Sequence, residues 1–69
     1  MVKFPEKLKE LRIERRLSQS ELARFLAVDQ RSISNWEKGI REPDFEMLAK
    51  IAKYFDVSAG YLLGLEDYR

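Results

Sequence analysis

The stretch Gln19-Ser20-Glu21-Leu22-Ala23-Arg24-Phe25-Leu26-Ala27-Val28-Asp29-Gln30-Arg31-Ser32-Ile33-Ser34-Asn35-Trp36-Glu37-Lys38 decides how this chain folds. Its apolar residues fall into two sets with helical spacing. Leu22, Ala23 and Leu26 form the first; Ile33 and Trp36, on one side of a second helix, form the other. Only Ala27, Val28 and Asp29 remain to connect them. So short a turn forces a sharp angle between the two helices. Ala23 is small where they approach closely.

Working outward, helix starts recur in one pattern: an apolar residue, a capping residue, then an apolar residue four positions into the helix. This is the hydrophobic staple. Leu17, Ser18 and Leu22 make the first, and Glu21, three residues after Ser18, completes a capping box. Val28, Asp29 and Ile33 make the second; Val57, Ser58 and Leu62 make the third. A further start is expected at Asp44, after Pro43, with Leu48 as its inner partner. Five helices follow: about Pro5 to Arg16, Gln19 to Leu26, Gln30 to Lys38, Phe45 to Phe55 and Ala59 to Leu63. Phe4, Leu8 and Leu11 give the first its inner face; Leu48, Ile51, Ala52 and Phe55 give the fourth its own. Gly39 and Gly64 suit helix ends. The expectation is an all-α five-helix bundle forming a single domain over 1–69, with a flexible tail at about 65–69.

The chain has 69 residues, no Cys and no His. Disulfide scaffolds, zinc fingers and Cys- or His-based catalysis are thereby excluded. No paired-carboxylate or phosphate-loop motif is present, so no enzyme, cofactor or metal is expected. No apolar run approaches the roughly 18 residues of a membrane span. The charged, amphipathic N-terminus does not read as a signal peptide, and a cytoplasmic protein is expected. Net charge is only +1, but it is unevenly spread. Residues 1–41 carry ten Lys/Arg against six Asp/Glu; residues 42–69 carry three against six. The first part is therefore the one suited to a polyanion, although an uneven solvated surface would look the same.

The third helix has an unusual outer face. Gln30, Arg31, Ser32, Ser34 and Asn35 are all hydrogen-bonding types, and only Arg31 is charged. An ordinary solvated helix is richer in Glu and Lys. Arg pairs with guanine edges, Asn and Gln with adenine, and Ser is short enough to allow close approach. Trp36 is placed to be core rather than a stacking residue.

Counted from Gln19, apolar residues occupy positions four, eight, ten, fifteen and eighteen, and alanine holds position five. This resembles the helix-turn-helix of the Cro and phage-repressor type, the XRE family. Leu17 to Ala23 and Ile33 to Gly39 look like its most recognisable segments, and the resemblance runs from helix 1 to Tyr61-Leu62-Leu63-Gly64. It implies a lambda-repressor-like bundle whose helices 2 and 3 form the helix-turn-helix. It also implies a sequence-specific DNA-binding transcriptional regulator, a repressor occupying a symmetric operator through the major groove. Gln30, Arg31 and Asn35 match base-reading positions, with Ser32 and Ser34 beside them. Gln19 matches a phosphate contact at the start of helix 2. Lys38 and Arg41 suit phosphates across the groove. Asp29 is read as a cap, since phosphate repels a carboxylate. Arg12 and Glu37 match an ion pair joining helix 1 to helix 3.

The family most often has Gly at position nine of the motif, where this chain has Ala27. A positive φ there would cost Ala about 1 kcal/mol, so a slightly different turn geometry is expected. The expected partner is double-stranded DNA, met by a homodimer that forms off DNA or only on it. One recognition helix reads too few bases to outcompete the roughly million or more other genomic sites. Tyr61, Leu63, Leu65 and Tyr68 are the candidates for the dimer contact, or else cap the core. The alternative is a protein-interaction module on the same fold, such as an antitoxin with a toxin partner.

Overall fold

The computed structural model describes residues 3–69, so the first two residues of the expected domain lie outside the described part. Five helices follow in order: α1 (Phe4–Glu14), α2 (Gln19–Leu26), α3 (Gln30–Lys38), α4 (Phe45–Phe55) and α5 (Ala59–Leu63). Each expected N-cap works as one. Ser18 and Glu21 form the reciprocal capping box of α2. Asp29 accepts from the Arg31 N–H, Asp44 from Met47 and Ser58 from Tyr61. These bonds satisfy amides that the first helical turn otherwise leaves without an acceptor.

Helix ends share one device as well. At the end of every helix a residue turns into the left-handed region: Arg16, Ala27, Gly39, Asp56 and Gly64. Leu17, Val28, Ile40, Val57 and Leu65 then donate back to Arg12, Ala23, Asn35, Ala52 and Gly60. This is the Schellman closure, which satisfies the last carbonyls. It corrects two expectations. α1 stops at Glu14 rather than Arg16, because Arg16, at φ 56°, has already turned out of the helix. Ala27 does not change the turn geometry; it adopts φ 59° and ψ 43° itself. Two backbone bonds, Ala27 to Arg24 and Val28 to Ala23, hold it there. Together with the buried Ile33 that follows Val28, they outweigh a strain of about 1 kcal/mol.

The core draws on all five helices. Phe4, Leu8 and Leu11 come from α1, Leu22, Ala23 and Leu26 from α2, and Ile33 and Trp36 from α3. Leu48, Ile51, Ala52 and Phe55 come from α4, and Tyr61 and Leu62 from α5. Tyr61, a candidate for the dimer contact, is 3% exposed and belongs to this core. Its hydroxyl donates to Glu10 at 2.9 Å. Leu65 and Tyr68 are exposed, and Leu63 is half-buried. The segment after Gly64 lies against the bundle: Ser58 donates to Glu66 at 2.6 Å, and Arg69 pairs with Glu14 and Glu10. Among the described residues no helix is long and apolar enough to cross a membrane.

Candidate nucleic-acid interface

α3 is fixed from the inside. Ile33 is fully buried and Trp36 is 7% exposed. One residue further on, the Glu37 carboxylate is held by Arg12 in a two-pronged contact. Arg12 Nε donates to Oε2 at 2.7 Å and Nη2 to Oε1 at 3.1 Å. Arg12 Nη1 donates to the Leu17 carbonyl, which ties the entry of α2 to the same guanidinium. The side chains are 13% and 4% exposed, so this pair is largely desolvated. Such a planar fork fixes geometry as well as charge. α3 therefore cannot roll about its axis without breaking it.

The outer face contrasts with this. Successive residues on a helix are about 100° apart, which places Ser34, Lys38, Arg31 and Asn35 on one arc opposite Ile33 and Trp36. Gln30 borders that arc on the side of Glu37. Ser32 lies on the other flank, half-buried beside Trp36. Gln19, Asp29, Gln30, Arg31 and Ser34 line one open hollow of about 340 Å³. Lys38 and Arg41 are exposed beyond it. Arg41 is placed by its main chain, whose N–H, like that of Ile40, points back to the Asn35 carbonyl.

Of the eight expected site residues, the structure thus gathers Gln19, Gln30, Arg31 and Ser34 round one hollow. Asn35 and Lys38 continue the same face, Arg41 follows in the loop, and Ser32 stands apart. Among the described residues the side chains of Gln30, Arg31, Ser34, Asn35, Lys38 and Arg41 have no hydrogen-bond partner. Their donors and acceptors are open to a ligand. Asp29 uses its carboxylate as a cap, as expected. At the start of α2 the Ser18 main-chain N–H, and then its hydroxyl, hold the Glu21 carboxyl below its ordinary value. One contact was not read from the sequence: Gln19 Nε2 donates to Glu37 Oε1 at 3.2 Å. The partners are 18 residues apart on different helices, and no local spacing signals them.

A sequence model of the helix-turn-helix family matches residues 8–62. The chain is 41% identical over 66 residues to the HTH-type transcriptional activator BcrR of Enterococcus faecalis, covering 96% of this chain and 32% of that protein. It is 35% identical over 60 residues to the cryptic phage CTXphi transcriptional repressor RstR of Vibrio cholerae, covering 87% of this chain and 54% of that one. The chain thus spans about a third of the first of these relatives and about half of the second. A transcriptional regulator from Listeria innocua has a similar structure, with a TM-score of 0.85 and 32% identity over 96% of this chain and 62% of that one. With its motif geometry and its match over residues 8–62, the chain belongs to the XRE family of helix-turn-helix domains.

Proposed function

We propose that this domain binds double-stranded DNA as a sequence-specific transcriptional regulator, laying α3 in the major groove. One observation carries the reading. α3 is locked from within by a largely desolvated ion pair, while its outer face presents Gln30, Arg31, Ser34, Asn35 and Lys38 with no partner of their own among the described residues. An α-helix fits the major groove, and these side chains match its base edges and flanking phosphates. At the start of α2 the main-chain N–H groups of Gln19 and Ser20 have no acceptor among the described residues. A helix N-terminus of this kind attracts a phosphate. Lys38 and Arg41 serve the phosphates on the far side of the groove. Relatives named as transcriptional regulators favour this over a module that binds only protein, such as an antitoxin.

Acting as a homodimer, the domain occupies a symmetric operator in the cytoplasm and represses by exclusion of polymerase. Leu63, Leu65 and Tyr68 supply the apolar surface for the contact. The test is selection of bound duplexes from a random pool, followed by titration of the recovered site at several salt concentrations. The expected result is a two-fold symmetric site with half-site centres about 10 base pairs, one helical turn, apart. A single bound copy per site would refute the dimer. Binding without sequence preference would refute the regulator.

A further inference from the structure

Phe25 and Tyr54 stack across the join between α2 and α4, with ring centroids 5.6 Å apart. Phe25 is nevertheless 58% exposed, and Tyr54 is half-buried. Positive charge surrounds the pair. Arg15 Cζ lies 5.5 Å from the Tyr54 ring centre and 5.3 Å from that of Phe55, within cation–π reach of both. The same guanidinium donates to the carbonyls of those two residues. Lys50, one turn before Tyr54, donates to the Leu26 carbonyl at 2.6 Å. These two cations are thus held in place by carbonyls at helix ends and not neutralised by carboxylates. Arg24, next to Phe25, and Arg16, next to Arg15, are exposed and make no hydrogen bond or ion pair among the described residues. Glu21, the acid one turn before Phe25, is turned to the Ser18 main-chain N–H. Capping two helix ends accounts for Arg15 and Lys50. It does not account for a phenylalanine that leaves more than half its surface in water among cations.

We infer that this α2–α4 face docks a segment of another protein in which an aromatic or aliphatic side chain is flanked by Asp or Glu. The apolar side chain covers Phe25, and the area taken from water drives the contact. The carboxylates pair with Arg24 and Arg16, and the fixed charges of Arg15 and Lys50 draw them in. The face is separate from the one assigned to DNA. None of its residues lines the hollow beside α3, and Phe25 is about 120° round α2 from Gln19, which does. The inference therefore does not rest on the DNA-binding reading, and on a duplex the face stays open.

Phage-display selection of random peptides on the DNA-free chain tests it. The expected pool is enriched in Asp and Glu beside Phe, Trp or Leu. One enriched peptide, labelled and titrated by fluorescence anisotropy, should bind about tenfold more weakly to Phe25→Ala and to Arg24→Glu. Both residues are exposed, so each variant should keep the parent's unfolding curve, and two independent variants keep the test intact if one does not fold. Added salt should weaken the peptide further. A pool without acidic enrichment, or a peptide indifferent to both variants, overturns the inference. Duplex DNA is the competing polyanion for these cations. The peptide should bind equally well in the presence of saturating selected duplex. Displacement of the peptide by random duplex overturns the inference and gives the face to DNA. A chain that binds no duplex fails on the DNA reading alone, and the peptide titration still decides this one.

Discussion

The two faces of α3 differ in what their side chains touch. On the inner face Ile33 and Trp36 are buried, and Glu37 receives three donors from Arg12 and Gln19. On the outer face Gln30, Arg31, Ser34, Asn35 and Lys38 have no partner within the described residues. The inner face determines where the helix lies; the outer face has little effect on whether the domain folds. A binding surface gains from this division, because its donors and acceptors stay available and their positions are set elsewhere. It also makes the two faces separable by mutation.

The largest expected effect is on the inner face. Trp36→Ala removes a 7%-exposed indole and should cost about 3–5 kcal/mol of stability, a large share of what a domain this small has. Denaturant unfolding measures it, and a loss under about 1 kcal/mol would show that Trp36 does not hold α3. The next effect is on the outer face. Arg31→Ala should weaken binding to the selected site by about 1–3 kcal/mol and relax the base choice at one position. Its unfolding curve should stay within about 0.5 kcal/mol of the parent. An unchanged sequence preference would remove Arg31 from the reading face; a large loss of stability would break the division between faces.

The inner face was more legible in the sequence than the outer one, for a physical reason. Staples and caps act within four residues, so Ser18, Asp29, Asp44 and Ser58 could be placed from local spacing alone. The apolar residues of α2 and α3 could be placed from periodicity. The Arg12–Glu37 pair spans 25 residues and was reached only through resemblance to a family. The Gln19–Glu37 bond had no such guide and was missed. Arg16 and Ala27 were misread because neither residue type favours φ > 0. The backbone bonds that hold them there are set by the packing of the helix that follows. Tyr61 stayed open between a dimer contact and a cap on the core, because spacing does not show that Glu10 on α1 supplies the partner that lets its hydroxyl be buried. The outer face gave a list of suitable side chains, not their arrangement. Ser32 and Ser34 read alike in sequence, and only Ser34 borders the hollow.

Between the faces lies the turn, and Ala27 offers a smaller, cleaner test. Its left-handed backbone costs an alanine more than a glycine. Ala27→Gly should therefore stabilise the domain by about 0.5–1 kcal/mol, after allowing for the freer unfolded chain. The turn geometry is already the one glycine would take, so affinity for the selected site should not change. Loss of affinity at unchanged or greater stability would mean that the alanine, and not the Arg12–Glu37 pair, sets the inclination of α3.

The smallest effect separates two kinds of contact within the outer face. Lys38 is one turn of helix beyond Ser34, exposed, and outside the hollow lined by Gln30 and Arg31. A lysine there is a compact charge on a flexible stem, suited to a phosphate and not to a base edge. Lys38→Ala should therefore weaken selected and random duplexes by the same factor. It should also make the dependence of log affinity on log salt shallower by about 0.9, the counterions of one phosphate. Arg31→Ala should instead weaken the selected duplex more than the random one, which is the mark of a base contact. If the two variants gave the same pattern, the outer face would act as one undivided patch of positive charge. The arrangement of Gln30, Arg31 and Ser34 round the hollow would then have no part in choosing the sequence.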